Sequence, residues 1–232
     1  MRSPVDYGLI ERAMAEAGAG AGGGAVTALF EAAASALEEI ASGRRRLRAV
    51  RHPLGFLCLP VQREEDRGVC VHVFDAEAPG RAAGLTTSRV HAHSWDLASC
   101  VLYGRVGNLR VRVRDRPHEP THRVYEVRSD ASAVDVLLPT PRLVRCEPGP
   151  EETSVGGETY TLPAGDFHAT VVPPGTAAAT LLLGRTLPGR CDLSLGPVHG
   201  APHRVVRQTC DAAQTARTAR TVLRRIDGRP SP

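Results

Sequence analysis

The chain contains no lysine: all 29 basic residues are arginine, and Asn108 is the single asparagine among 232 residues. This bias reflects GC-rich coding more than any function. The chain also lacks an apolar stretch near the roughly 18 residues that a membrane-spanning helix needs, and its opening segment, MRSPVDYGLIERAMAEAG, is charged early rather than patterned as a signal peptide. These absences predict a soluble, cytoplasmic protein with no membrane partner. The net charge is only +4. No basic run is interleaved with aromatics, so nucleic-acid binding is not expected. Arg44, Arg45 and Arg46 read as the basic end of a helix, and Arg217, Arg220, Arg224 and Arg225 as a solvated helical face. The cysteines, Cys58, Cys70, Cys100, Cys146, Cys191 and Cys210, include no C-x-x-C pair and no disulfide-rich context, so they are expected to be reduced thiols.

With 42% hydrophobic residues the chain can bury a sizeable core. Residues 5–17 place Leu9, Ile10 and Met14 at helical spacing. After the glycine-rich GAGAGGG, expected to be a flexible linker, AVTALFEAAASALEEIASG reads as a second helix closed by Gly43. Both helices are expected to pack outside the main domain. From Pro53 the texture changes to short alternating runs: GFLCLPVQ, GVCVHVFD, ASCVLYG, NLRVRVRD, HRVYEVRS, AVDVLLP and AATLLLGR. They predict about eight strands or more. A further helix is expected from about Asp211, with a frayed RPSP end. The organisation read from these segments is an N-terminal helical extension over 1–52, a β-barrel over 53–210 and a C-terminal tail over 211–232.

Within the strands stands VHAHSWD, whose His91 and His93 are one residue apart. On a strand, residues i and i+2 share a face, so both imidazoles enter one space. A third histidine, His168, closes GETYTLPAGDFH, in which Pro163 and Gly165 turn the chain. Three imidazoles suit iron, zinc, copper or nickel and leave coordination positions free. His72, His118, His122, His199 and His203 lack such a context.

The H-x-H followed by G-x5-P-x-G-x2-H resembles the paired motifs of the cupin superfamily, over about residues 54–185. The resemblance implies a mostly β, jelly-roll fold, a double-stranded β-helix. The glutamate that usually follows the H-x-H is absent, since Leu97 and Ala98 stand there. Val172 replaces a frequent asparagine. A three-histidine centre of His91, His93 and His168 is therefore implied, similar to that of iron-dependent thiol and diketone dioxygenases. No Ser-x-His-x-Tyr arrangement follows His168, so cysteine dioxygenase itself is not indicated. Cys100 reads as a structural thiol.

Around these ligands, Asp96 can orient a histidine, coordinate weakly or cap a turn, the first being favoured. Arg89 and Trp95 share the parity of the histidines and are candidate substrate contacts, Trp95 being equally readable as core. Arg142 and Arg185 can hold a carboxylate or phosphate. Tyr103, Tyr125 and Tyr160 can each supply a proton. The resemblance implies iron(II), with zinc, nickel or manganese as alternatives. The reading is an oxygenase that takes a small amino-acid-derived, thiol or carboxylate metabolite together with dioxygen. Its alternatives are a non-redox isomerase, dehydratase or lyase, and a non-catalytic ligand-binding protein. A homodimer is the expected assembly.

Overall fold

The computed structural model describes residues 5–20, 22–75, 87–129 and 133–228. Two helices, α1 (Tyr7–Gly18) and α2 (Gly22–Ala41), precede β1 (Val50–Arg51), β2 (Leu57–Glu64), β3 (Arg67–Asp75), β4 (His91–Ala92) and β5 (Trp95–Tyr103). Next come β6 (Arg105–Asp115), β7 (His122–Ser129), β8 (Val134–Val155), β9 (Thr159–Leu162) and β10 (His168–Val171). The chain closes with β11 (Ala177–Thr186), β12 (Asp192–Gly196), β13 (His203–Val206), β14 (Gln208–Thr209) and α3 (Ala212–Asp227). All seven alternating runs read from the sequence lie in strands. The RPSP end lies outside the described residues. Among those residues, no helix is long and apolar enough to cross a membrane.

The strands form two antiparallel sheets, A in the order β14-β1-β2-β3-β11-β5-β9 and B in the order β13-β8-β6-β10-β4-β12-β7. β8 is long enough to serve both edges of sheet B: its first half pairs with β7 and β13, its second with β6. Sheet A is apolar on one face throughout. Leu57, Leu59 and Val61 of β2, Val69, Val71 and Val73 of β3, and Leu181 and Leu183 of β11 point to the helices at strict two-residue spacing.

The helices fit that face by their own periodicity. Tyr7, Ile10 and Met14 are buried on α1, and Leu29, Ala33, Leu37 and Ile40 on α2. On α3, Thr215, Ala219, Val222 and Ile226 form the buried stripe. The Asp6 carboxylate caps α1 by accepting from the Leu9 amide at 3.1 Å. Asp211 and Gln214 cap α3 reciprocally. Arg220 is more than a solvated charge, since its guanidinium donates to the Ala41 carbonyl at the end of α2. Arg45 likewise ties the exit of α2 to Glu39 and to the Val61 carbonyl of β2.

The helices do lie outside the strands, as expected, but they share the largest apolar cluster with sheet A. Leu29 and Leu37 have no exposed surface, and each contributes about 1.5 to 3 kcal/mol by burial. α2 also begins at Gly22, inside the run expected to be a flexible linker. Burial of Ala25, Leu29 and Ala33 offsets the cost of helical glycine, about 1 kcal/mol per residue.

Candidate metal centre

His91 on β4 is the direct cross-strand partner of His168 on β10, which places both rings on one face of sheet B, their centroids 4.4 Å apart. His93 arrives differently from the regular i, i+2 placement expected. The chain leaves β4 after Ala92 and enters sheet A at Trp95, so His93 occupies the crossover between the sheets. Its ring centroid lies 4.8 Å from that of His91 and 5.0 Å from that of His168. One ring nitrogen of each residue lies within 4.8 Å of the others. Nitrogens sharing one first-row ion are separated by roughly 3 to 3.5 Å, so small side-chain adjustments close the cluster.

The turn that delivers His168 is fixed from several sides. Gly165 has φ +89°, a conformation that disfavours other residues, and the Asp166 amide donates to the Pro163 carbonyl across the turn. The Gly165 amide donates to the His93 carbonyl at 2.9 Å, which couples the two motifs directly. Arg190 holds the Ala164 carbonyl from outside.

The tautomers are set by the backbone. His91 Nδ1 lies 3.0 Å from the Arg89 carbonyl and His168 Nδ1 lies 3.1 Å from the Asp166 carbonyl. A carbonyl only accepts, so each Nδ1 carries the proton and each Nε2 presents a lone pair. Burial holds all three imidazoles below the ordinary 6.5, His168 down to about 3, and repulsion from a neighbouring imidazole adds to this at His93 and His168. His91 and His93 keep accessible surface because they line a small pocket of about 110 Å³. Three neutral nitrogen donors, with no carboxylate in the cluster, fit a first-row transition metal such as iron, zinc or nickel.

The other sequence candidates divide. Arg89 contributes its carbonyl to His91, while its side chain lines a surface cavity of about 190 Å³ with Phe56 and Phe74. The Trp95 ring lies against His93, centroids 4.2 Å apart and tilted by 37°, and packs with Leu97, Leu162 and Leu182. A Cβ on Gly184 would come within 2.7 Å of the indole, so the glycine admits it. Trp95 is thus the wall behind a histidine. Tyr160 is inside, against Ser99, Asn108 and Thr180, and burial pushes its pKa up.

Asp96 reaches no imidazole. Its carboxylate accepts from the Ala164 amide at 2.9 Å, so it caps the turn before His168 instead of orienting a ligand. Tyr103 belongs to the helix side. A β-bulge where β5 pairs with β11 breaks the alternation after Val101, and both Leu102 and Tyr103 join the outer core. The Arg225 guanidinium lies 5.3 Å from the Tyr103 ring centroid. Arg142 and Arg185 are exposed and already paired, with Asp115 at 2.7 Å and Asp66 at 3.3 Å. Tyr125 is buried and donates to the Pro197 carbonyl at 2.9 Å.

Several residues beside the histidines carry no motif. His52 and Arg207 line the same cavity as His91 and His93, Arg207 clamped by the Asp135 carboxylate. Asp192, also there, accepts from the Ser94 amide at 2.6 Å and steadies the crossover. His72 had a legible signal after all. With Cys70 it forms C-x-H on β3, the same spacing as the H-x-H, and both point to the interior.

No protein-family model matches the chain, and no curated protein does. Among solved structures, the chain is similar to the polyketide cyclase RemF from Streptomyces resistomycificus, with 13% identity over 63% of this chain and 72% of that one. The TM-score is 0.35, too low to carry an argument.

Proposed function

We propose that the chain is a cupin-type mononuclear metal enzyme that uses iron(II) and dioxygen to oxidise a small amino-acid-derived, thiol or carboxylate metabolite. The observation that carries this reading is the convergence of three neutral imidazoles, two of which, His91 and His93, line a cavity of about 110 Å³. Iron(II), when bound, supplies the electron transfer to dioxygen that no side chain provides.

The chain's own residues then do the rest. His91, His93 and His168 hold the ion, with backbone carbonyls setting the tautomers of His91 and His168 and Trp95 packing against the His93 ring. Neutral ligands leave the ion's charge uncompensated, which favours an anionic substrate. His52 Nδ1 accepts from the Leu54 amide at 3.2 Å, and burial keeps the ring neutral. Its Nε2 therefore carries the proton and is a hydrogen-bond donor available to a substrate anion. Leu54, Val127, Leu137 and Leu193 give the same pocket apolar walls.

The test is nitric oxide binding to anaerobic iron-loaded protein, read by electron paramagnetic resonance, followed by oxygen uptake with small thiols, carboxylates and amino acids. A high-spin nitrosyl signal, perturbed by a substrate that also triggers oxygen uptake, is expected. Zinc, nickel or manganese bound by a site lost in His168→Ala, with no nitrosyl signal from iron, overturns the oxygenase reading in favour of Lewis-acid chemistry.

A further inference from the structure

The inner face of sheet A carries a second set of metal-binding atoms. Cys58 on β2 is the register partner of His72 on β3, and Cys70 precedes His72 by two residues on the same strand. All three side chains therefore leave the sheet on one side, opposite to Val69, Val71 and Val73. One ligand atom from each lies within 4.8 Å of the others. All three residues are half-buried, and both thiols are free.

The surroundings make this more than two core thiols beside a ring. The strands bearing the cluster are held in register by the helix-backed core, so its donors are positioned before any ion arrives. The His72 ring is set by Phe56, 4.5 Å away, which itself stacks on His52.

We infer that Cys58, Cys70 and His72 form a second metal site, selective for zinc(II) and distinct in chemistry from the three-histidine centre. Soft thiolates favour zinc or copper(I) over iron(II) and the hard cations. Charge decides between those two. Two thiolates and a neutral imidazole neutralise a divalent ion and leave an uncompensated negative charge around copper(I), which is unfavourable in the interior. Three protein ligands leave the fourth tetrahedral position of zinc for water or a small ligand. The interior then offers a nitrogen site and a sulfur-rich site, each choosing its own metal.

The test uses the reduced full-length protein under anaerobic conditions, with cobalt(II) as the optical probe and zinc X-ray absorption for the ligand shell. Cobalt is expected to give a thiolate charge-transfer band in the near ultraviolet, and zinc a shell containing sulfur. His168→Ala keeps the band, while Cys58→Ser with Cys70→Ser loses it together with one equivalent of metal. A wild-type protein with both thiols reduced that shows no such band, or a zinc shell of nitrogen and oxygen alone, overturns the proposal without recourse to any variant.

Discussion

The two faces of sheet A are built from alternating residues of the same strands, yet they differ in kind. On β3, Val69, Val71 and Val73 enter one continuous apolar cluster with α1, α2 and α3, while Cys70, His72 and Phe74 face the interior. There the apolar contacts break into small groups, such as Leu97, Leu162 and Leu182, or Val101, Val106 and Ala178. Between them lie the buried polar residues Ser99, Asn108 and Thr180. The Asn108 amide oxygen has no partner among the described residues. The contrast teaches that cohesion is supplied from outside the sheet, which frees the inside to hold imidazoles, thiols and a cavity.

Breaking the outer face should have the largest effect. Deleting residues 1–42 strips the apolar side of sheet A, and an insoluble or unfolded product is expected. A soluble product with wild-type thermal stability would show that the helices are dispensable. On the same face, Leu37→Ala should cost about 2 to 5 kcal/mol in denaturant unfolding while the folded fraction keeps its metal stoichiometry.

The inner face should respond to acid. In the unfolded chain the three histidines titrate near 6.5, whereas burial keeps them neutral below that value in the fold, His168 to about 3. Below pH 6.5 the unfolded chain binds protons that the fold refuses, so metal-free protein loses stability as pH falls and is insensitive to these groups above it. Urea midpoints of the metal-free protein across this range check the sign. A midpoint that rises on acidification contradicts buried neutral histidines.

The smallest effects belong to residues that only trim the frame. Asp96→Ala removes one cap on the Pro163–Asp166 turn, and a loss of about 1 kcal/mol is expected in denaturant unfolding, with the nitrosyl spectrum of the iron form unchanged. Arg142→Ala breaks only an exposed pair and should cost less than about 1 kcal/mol. A substrate KM shifted by Arg142→Ala would place that arginine back in the site.

What the sequence disclosed followed from local rules. Alternation located the strands, helical spacing located α1 although Leu9 of that stripe is exposed, and proline with glycine marked the turn before His168. What it concealed depended on pairing. The bulge opposite Ala179 and Thr180 sends Tyr103 outward against its parity, and nothing in ASCVLYG announces a bulge. Asp96 lies three residues from His93 in sequence, but β5 directs it to the Ala164 amide. Arg142 and Arg185 find their acids in Asp115 and Asp66, contacts set by tertiary register. His72 and Cys70 show a C-x-H spacing, but the third member, Cys58, sits on the neighbouring strand, and only the β2–β3 register joins it to them.

The central claim is that His91, His93 and His168 hold one ion, and iron analysis of anaerobically loaded wild-type protein beside His168→Ala tests it most directly. The account predicts about one iron per chain in the wild type. It predicts almost none in the variant, whose circular dichroism and unfolding transition show that it still folds. Wild-type iron content in a folded His168→Ala protein would contradict it.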